Sequence, residues 1–324
     1  MMSVIETISD GFSRTTRRIW LIVLPVLVDI AIWAGPRLSV RRLSEQMIAS
    51  LTSLPTLGAD YDASLQQIAQ QLGTMGAQTN LLSLLSMRIV SLPSLTGSLV
   101  STDWPLAIAR QIIEISSWPA LSVVAVTLSL VALLLGCICL SWQAQEAREE
   151  SFNLSDALRM TVFAWSRLTL ILLGSGVGVV LLVVSASVVL GILTALSPSF
   201  GALLFGFFSI LMMGLATYLS IIFLFTPRAM MLDRVGVRRS LWNSLNVVHR
   251  NFLPTLWLIL LSNVIQTGLM YIWRAAAVSV AGTLVSIVGH AYVSTGLAIA
   301  GIIFYRDRFV SWRETLHSAT DSRG

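Results

Sequence analysis

Apolar residues gather in long unbroken runs separated by shorter polar stretches, and this pattern organises the chain more than any motif does. Six runs approach the length, about 20 residues, that an α-helix needs to cross roughly 30 Å of hydrocarbon at ~1.5 Å per residue. They cover 19–35, 120–141, 168–196, 201–226, 254–273 and 279–304. A transmembrane β-barrel would show short segments of alternating polarity instead. The predicted fold class is therefore all-α: a single membrane domain, a polytopic helical bundle with six transmembrane helices. The first run follows Arg14, Arg17 and Arg18 as the core of a signal peptide would, but Asp29 interrupts it and no small-residue cleavage site follows. An uncleaved first helix is the expectation.

The stretches between the runs predict the remaining elements. Residues 1–18, 142–167 and 227–253 each begin with a partly polar, helix-periodic stretch, reach Arg18, Arg167 or Arg250, and then enter an apolar run. A unit of one cytoplasmic amphipathic helix plus two spans, used three times, describes all three. The tail 305–324 reads as a further surface helix. Ser197–Phe200 is short enough to force its flanking runs into an antiparallel hairpin. The long segment 36–119 is predicted to be extracytoplasmic and mostly helical. Its stretches LSEQMIASLTSL and DASLQQIAQQLGTM carry apolar residues at three- and four-residue spacing, and Pro55, Gly58, Pro93 and Gly97 punctuate it. It reads equally as a cap, as interfacial helices, or as a plain spacer.

Composition strengthens the membrane reading. The chain is 55% hydrophobic and only 11% charged, against roughly 25% charged in a soluble domain, and its mean hydropathy is +0.80. All 21 basic residues are arginines. Most lie in the N-terminus, the 142–167 and 227–253 segments and the tail, with Arg37, Arg41, Arg42, Arg88, Arg110 and Arg274 on the other side. That bias predicts a multi-pass protein of the cytoplasmic membrane with both termini in the cytoplasm. The expected partners are membrane lipids, with anionic headgroups at the arginine-rich face. No nucleic-acid footprint is implied, and the sequence names no protein partner. The triplet Asn153, Leu154, Ser155 has glycosylation spacing but falls on the predicted inner side.

The run FTPRAMMLDRVGVRRSLWNSLNVVHRNFLPTLWLILL resembles bacterial membrane proteins related to the membrane domain of glycerophosphoryl diester phosphodiesterases. Pro227, Asp233, Gly236, Ser240, Leu241, Trp242, Ser244 and Asn251 carry the likeness, which extends over about residues 140–310. The resemblance implies a six-span membrane module of unknown role. No phosphodiesterase signature accompanies it, so no activity transfers.

Asp29 is the one acid inside a predicted span. Charge at the bilayer centre costs roughly 2.5 to 3.5 kcal/mol on insertion scales, so such a group faces the bundle or water. Counting from the inner helix ends at ~1.5 Å per residue puts Asp29 at ~16 Å, Asn263 at ~14 Å, Gln266 at ~18 Å and His290 at ~21 Å. These four form a candidate polar layer in which His290 carries a proton and Asp29 balances it. The other reading, which we expect, is that Asp29 snorkels or caps a neighbouring backbone while Asn263 and Gln266 hydrogen-bond between helices. Gly282, Gly289 and Gly296 recur every seven residues on one helix face, and Gly174 and Gly178 form a GxxxG; both sets are expected to be packing seams within the chain. Cys137 and Cys139 read as small apolar residues, with no metal site or cofactor. No phosphate loop or hydrolase signature is present. The function expected is therefore non-enzymatic: structural, lipid-interacting or assembly. A permease-like subunit using the polar layer is the alternative, and an intramembrane enzyme is third.

Overall fold

A computed structural model describes residues 2–53, 59–86, 94–96, 111–149 and 152–321. Pro55, Gly58, Arg88, Pro93, Gly97 and Arg110 lie outside the described residues. The chain forms α1 (Val4–Arg17), α2 (Val23–Ala34), β1 (Arg37–Ser39), α3 (Arg41–Thr52), α4 (Ala59–Gln78), β2 (Ile112–Glu114), α5 (Trp118–Ala147), α6 (Leu154–Leu196), α7 (Pro198–Asp233), α8 (Val237–Arg250), α9 (Phe252–Ala276) and α10 (Val280–Asp321). Single 3-10 turns occupy Ile19–Ile22 and Leu81–Leu85. Among the described residues five helices, α5, α6, α7, α9 and α10, are long and apolar enough to cross a membrane; Ile19–Ala34 is a shorter apolar helix.

The all-α expectation holds, with one small addition. Strands β1 and β2 pair in parallel at the two ends of the 36–119 segment, with Leu38 opposite Ile113. Three-residue strands are too short to leave a period-2 signal in the sequence. Several boundaries also move. The predicted surface helix at 142–167 is continuous with the span that follows it, so α6 runs for 43 residues, roughly 65 Å. The tail likewise continues the last span within α10.

Local chemistry accounts for the ends. Ser3 and Glu6 form a reciprocal capping box at the start of α1: the Ser3 N–H donates to Glu6 Oε2 at 2.8 Å and the Glu6 N–H to Ser3 Oγ at 3.2 Å. The same bonds hold the exposed Glu6 carboxyl below its ordinary range. The Asn153 side chain accepts from the Ser155 and Asp156 N–H groups and so caps α6. In α7, Pro227 removes the N–H that would bond the Phe223 carbonyl, yet the helix continues. The carbonyl before that break, on Ile222, accepts from Thr226 Oγ1 at 3.0 Å and from Ser244 Oγ at 2.7 Å. Arg234 ends α7 in the left-handed region at φ 52°.

The chain divides into two compact units, Met1–Thr7 with Leu140–Leu258 and Ala300–Gly324, and Ile8–Cys139 with Ile259–Ile299. In the first, the inner part of α7 is sealed, with Phe225, Ala229, Met230 and Met231 at most 1% exposed. Phe225 meets Phe304 and Tyr305 of α10 at ring separations of 6.2 and 6.4 Å. Helices α5 and α6 are antiparallel, tied by Gln145 to Asn153 and by Thr161 to Ser141. Helices α6 and α7 are antiparallel too, with Gly201 against Thr194 at one end and Arg234 paired to Asp156 at 2.8 Å at the other. Between those ends this hairpin is bare: none of the apolar window of α6 and 6% of that of α7 is buried.

In the second unit, Val28 and Ile32 of α2 pack with Cys139 of α5. The cysteine thus serves as a small core residue. Leu43, Leu81 and Ile115 form a second cluster, flanked by Leu121, Val124 and Leu128 of α5. Helices α3 and α4 cover the two stretches whose periodicity predicted them. They approach so closely that a side chain at Gly76 would collide with Ser44.

Candidate functional site

Asp29 sits in the middle of α2 and is fully buried. Its partners come from a three-residue segment more than sixty positions downstream. Oδ2 accepts the Leu95 N–H at 3.1 Å, and Oδ1 accepts the Thr96 N–H at 3.1 Å and the Thr96 hydroxyl at 2.8 Å. The Ser94 hydroxyl also donates to Oδ1. Thr96 Oγ1 lies 3.1 Å from the Asp29 carbonyl as well, so side chain and backbone of one helical residue hold the same loop. A carboxylate has about four acceptor positions, and this loop directs four donors at the two oxygens, three of them at Oδ1. The acid is a clamp that satisfies two buried backbone N–H groups.

The other members of the polar layer lie outside this clamp. His290 is buried in α10 at 3% exposure, Gln266 is half-buried in α9 and Asn263 is exposed. Among the described residues no hydrogen bond joins Asp29 to any of them. The signal for the true partners, Ser94, Leu95 and Thr96, is weak in sequence, because two hydroxyl residues around a leucine are common in any loop.

The glycine seams divide in the same way. A Cβ at Gly289 would lie 2.4 Å from the Trp273 ring, one at Gly296 would lie 2.7 Å from the Phe12 ring, and one at Gly282 would strike the Ala276 carbonyl at 2.1 Å. These three positions let α10 approach an aromatic side chain or turn tightly after α9, and the Ser286 hydroxyl adds a bond to the Trp273 carbonyl at 3.0 Å. Gly174 and Gly178 are a correction: nothing lies within 4 Å of a Cβ at either. Among the described residues nothing packs against either position, so no seam forms there.

The first unit also holds polar groups that entered the sequence reading only as charges or as part of the family resemblance. Asp156 receives Arg234 at 2.8 Å and Arg148 at 3.8 Å, and Arg148 also donates to the Met231 carbonyl at 2.8 Å. Asp233 Oδ2 accepts from the Tyr305 hydroxyl at 2.9 Å and from Asn243 at 3.3 Å. Helix α8 turns Ser240, Asn243, Ser244, Val247 and Val248 inward. Its other side leaves Trp242 61% exposed. A wide groove of about 720 Å³ runs along that side, lined by Ile222, Arg238, Arg239, Leu241, Trp242 and Leu245. This surface offers two cationic donors beside an apolar wall, the combination that suits an amphiphile with an anionic head. Among the described residues no three His, Cys, Asp or Glu side chains gather as metal ligands would. No protein family, no curated protein and no solved structure matches the chain.

Proposed function

We propose that this chain is a non-enzymatic integral protein of the cytoplasmic membrane, a structural and lipid-interacting component whose inner face holds anionic headgroups. In this reading Ile19–Ala34 joins the five longer apolar helices as a sixth span, and both termini lie in the cytoplasm. The bacterial six-span modules that the 140–310 region resembles would share that layout. The observation that carries the reading is the orientation of α8: small and branched residues inward, Arg238, Arg239 and Trp242 outward around an apolar groove. Tryptophan at this position belongs at the headgroup level, and each arginine near an anionic surface contributes about 1 kcal/mol.

The test is lipid retention by the detergent-purified chain, comparing wild type with Arg238→Gln/Arg239→Gln. Wild type is expected to retain anionic over zwitterionic phospholipid, and the double variant to lose most of that preference. Equal lipid composition in the two preparations would remove the proposal's support. Reporter fusions at each terminus test the topology separately, and a result placing them on opposite sides would refute six spans.

A further inference from the structure

Arg228 lies one residue after Pro227 in α7 and is 7% exposed. A guanidinium so placed ordinarily has a carboxylate or several carbonyls around it, because an unpaired buried charge is expensive. Here it has neither: among the described residues no hydrogen bond and no ion pair reaches Arg228. Its contacts are of another kind. The cation lies 5.4 Å from the Phe225 ring centroid. On α10, a Cβ at Gly301 would sit 3.1 Å from Cζ and 3.3 Å from each terminal nitrogen. Near-equal distances mean that the guanidinium lies face-on over the glycine, which is the residue that leaves room for it. The next acid along α7, Asp233, is ~7.5 Å further down the helix and is engaged by Tyr305 and Asn243.

The guanidinium is sealed at its stem and only slightly accessible at its tip. Nε is sealed from solvent without a partner, whereas the two terminal nitrogens, also without partners, are not sealed. A planar pair of donors left without partners at its outer edge is the arrangement that receives an oxyanion in two parallel hydrogen bonds. A second buried polar group lies at a similar height. Gln143 of α5 is 1% exposed and neither its amide nitrogen nor its oxygen has a partner. Helices α5 and α7 run parallel, since each is antiparallel to α6, and Arg148 bonded to the Met231 carbonyl sets their register. Gln143 lies ~7.5 Å above Arg148 and Arg228 ~4.5 Å above Met231.

We propose that Arg228, seated on Gly301 and Phe225, is a binding site for a phosphate oxyanion, carried either by an anionic phospholipid headgroup or by free phosphate. The site is separate from the α8 groove and stands whether or not Arg238 and Arg239 bind lipid.

The experiment uses the full chain in nanodiscs of phosphatidylcholine alone and of phosphatidylcholine with phosphatidylglycerol, with and without inorganic phosphate at constant ionic strength. Thermal unfolding and native mass spectrometry are the readouts. Wild type is expected to be stabilised by phosphatidylglycerol, by inorganic phosphate in the neutral discs, or by both. The first response alone identifies a lipid headgroup and the second a free anion. Arg228→Lys keeps the charge but loses the planar pair, and is expected to bind at least about tenfold more weakly. Gly301→Ala displaces the guanidinium and is expected to weaken binding similarly. Arg228→Met is expected to unfold no earlier than wild type in neutral discs and to show no phosphate response. Arg238→Gln/Arg239→Gln is expected to keep the response, which separates this site from the groove. A wild type indifferent to both additions, or a response unchanged in Arg228→Lys and Gly301→Ala, overturns the proposal.

Discussion

Replacing Asp29 tests the clamp most directly. In Asp29→Ala the Leu95 and Thr96 N–H groups lose their acceptors inside a buried site, at about 1 to 3 kcal/mol each, or about 2 to 6 kcal/mol together. The hydroxyls add little to this sum, because Ser94 Oγ and Thr96 Oγ1 lie 3.2 Å apart and can bond each other. In Asp29→Asn the amide oxygen can replace Oδ1 and keep the Thr96 bonds, while its nitrogen faces the Leu95 N–H in place of Oδ2. That substitution should cost about half as much, about 1 to 3 kcal/mol. The 94–96 segment can also open locally, so the loss appears there before it appears in global unfolding. Hydrogen exchange of peptides covering 94–96, in nanodiscs, is the assay. Exchange should accelerate roughly 10- to 100-fold in the Asn variant and further in the Ala variant. His290→Gln should leave that protection unchanged. Wild-type exchange in both Asp29 variants, or equal loss of protection in His290→Gln, would falsify the clamp and return Asp29 to the polar layer.

Three further expectations concern packing and caps. Gly289→Val should lower thermal stability by about 1 to 3 kcal/mol through its collision with Trp273, whereas Gly174→Ala and Gly178→Ala should be neutral or stabilising by up to about 1 kcal/mol; equal effects at the two sites would contradict the assigned surroundings. Asn153→Ala should cost about 1 kcal/mol by removing the α6 cap, measured by chemical unfolding, with Asn153→Asp expected to restore it. Tyr305→Phe should cost about 1 kcal/mol through loss of its bond to Asp233, and an unchanged unfolding midpoint would show that bond to be energetically idle.

The apolar runs were the legible part, because a helix needs only local sequence to declare its length and solvent. All five long helices fall on predicted runs, and α3 and α4 fall on the two periodic stretches of the 36–119 segment. What escaped was set by distant partners. Nothing near Asp29 announces Thr96, which lies 67 positions away. Small-residue spacing marks where close approach is allowed, not whether a neighbour arrives, so Gly289 found Trp273 and Gly174 found nothing. Pro227 reads as the end of a span, yet α7 continues to Asp233 because its inner turns are enclosed by protein. That continuation turned Arg228 from one more loop charge into a buried one.

The apolar window of α10 is 83% buried, the most enclosed of the five long helices. Among the described helices it is also the last to be synthesised. While a ribosome is still translating it, the elements already inserted stand around an unfilled slot. Their partly assembled state must tolerate lipid or an insertion chaperone in that slot until α10 arrives. Nonsense changes before residue 280 should therefore yield chains that enter the bilayer and are then removed by membrane proteases.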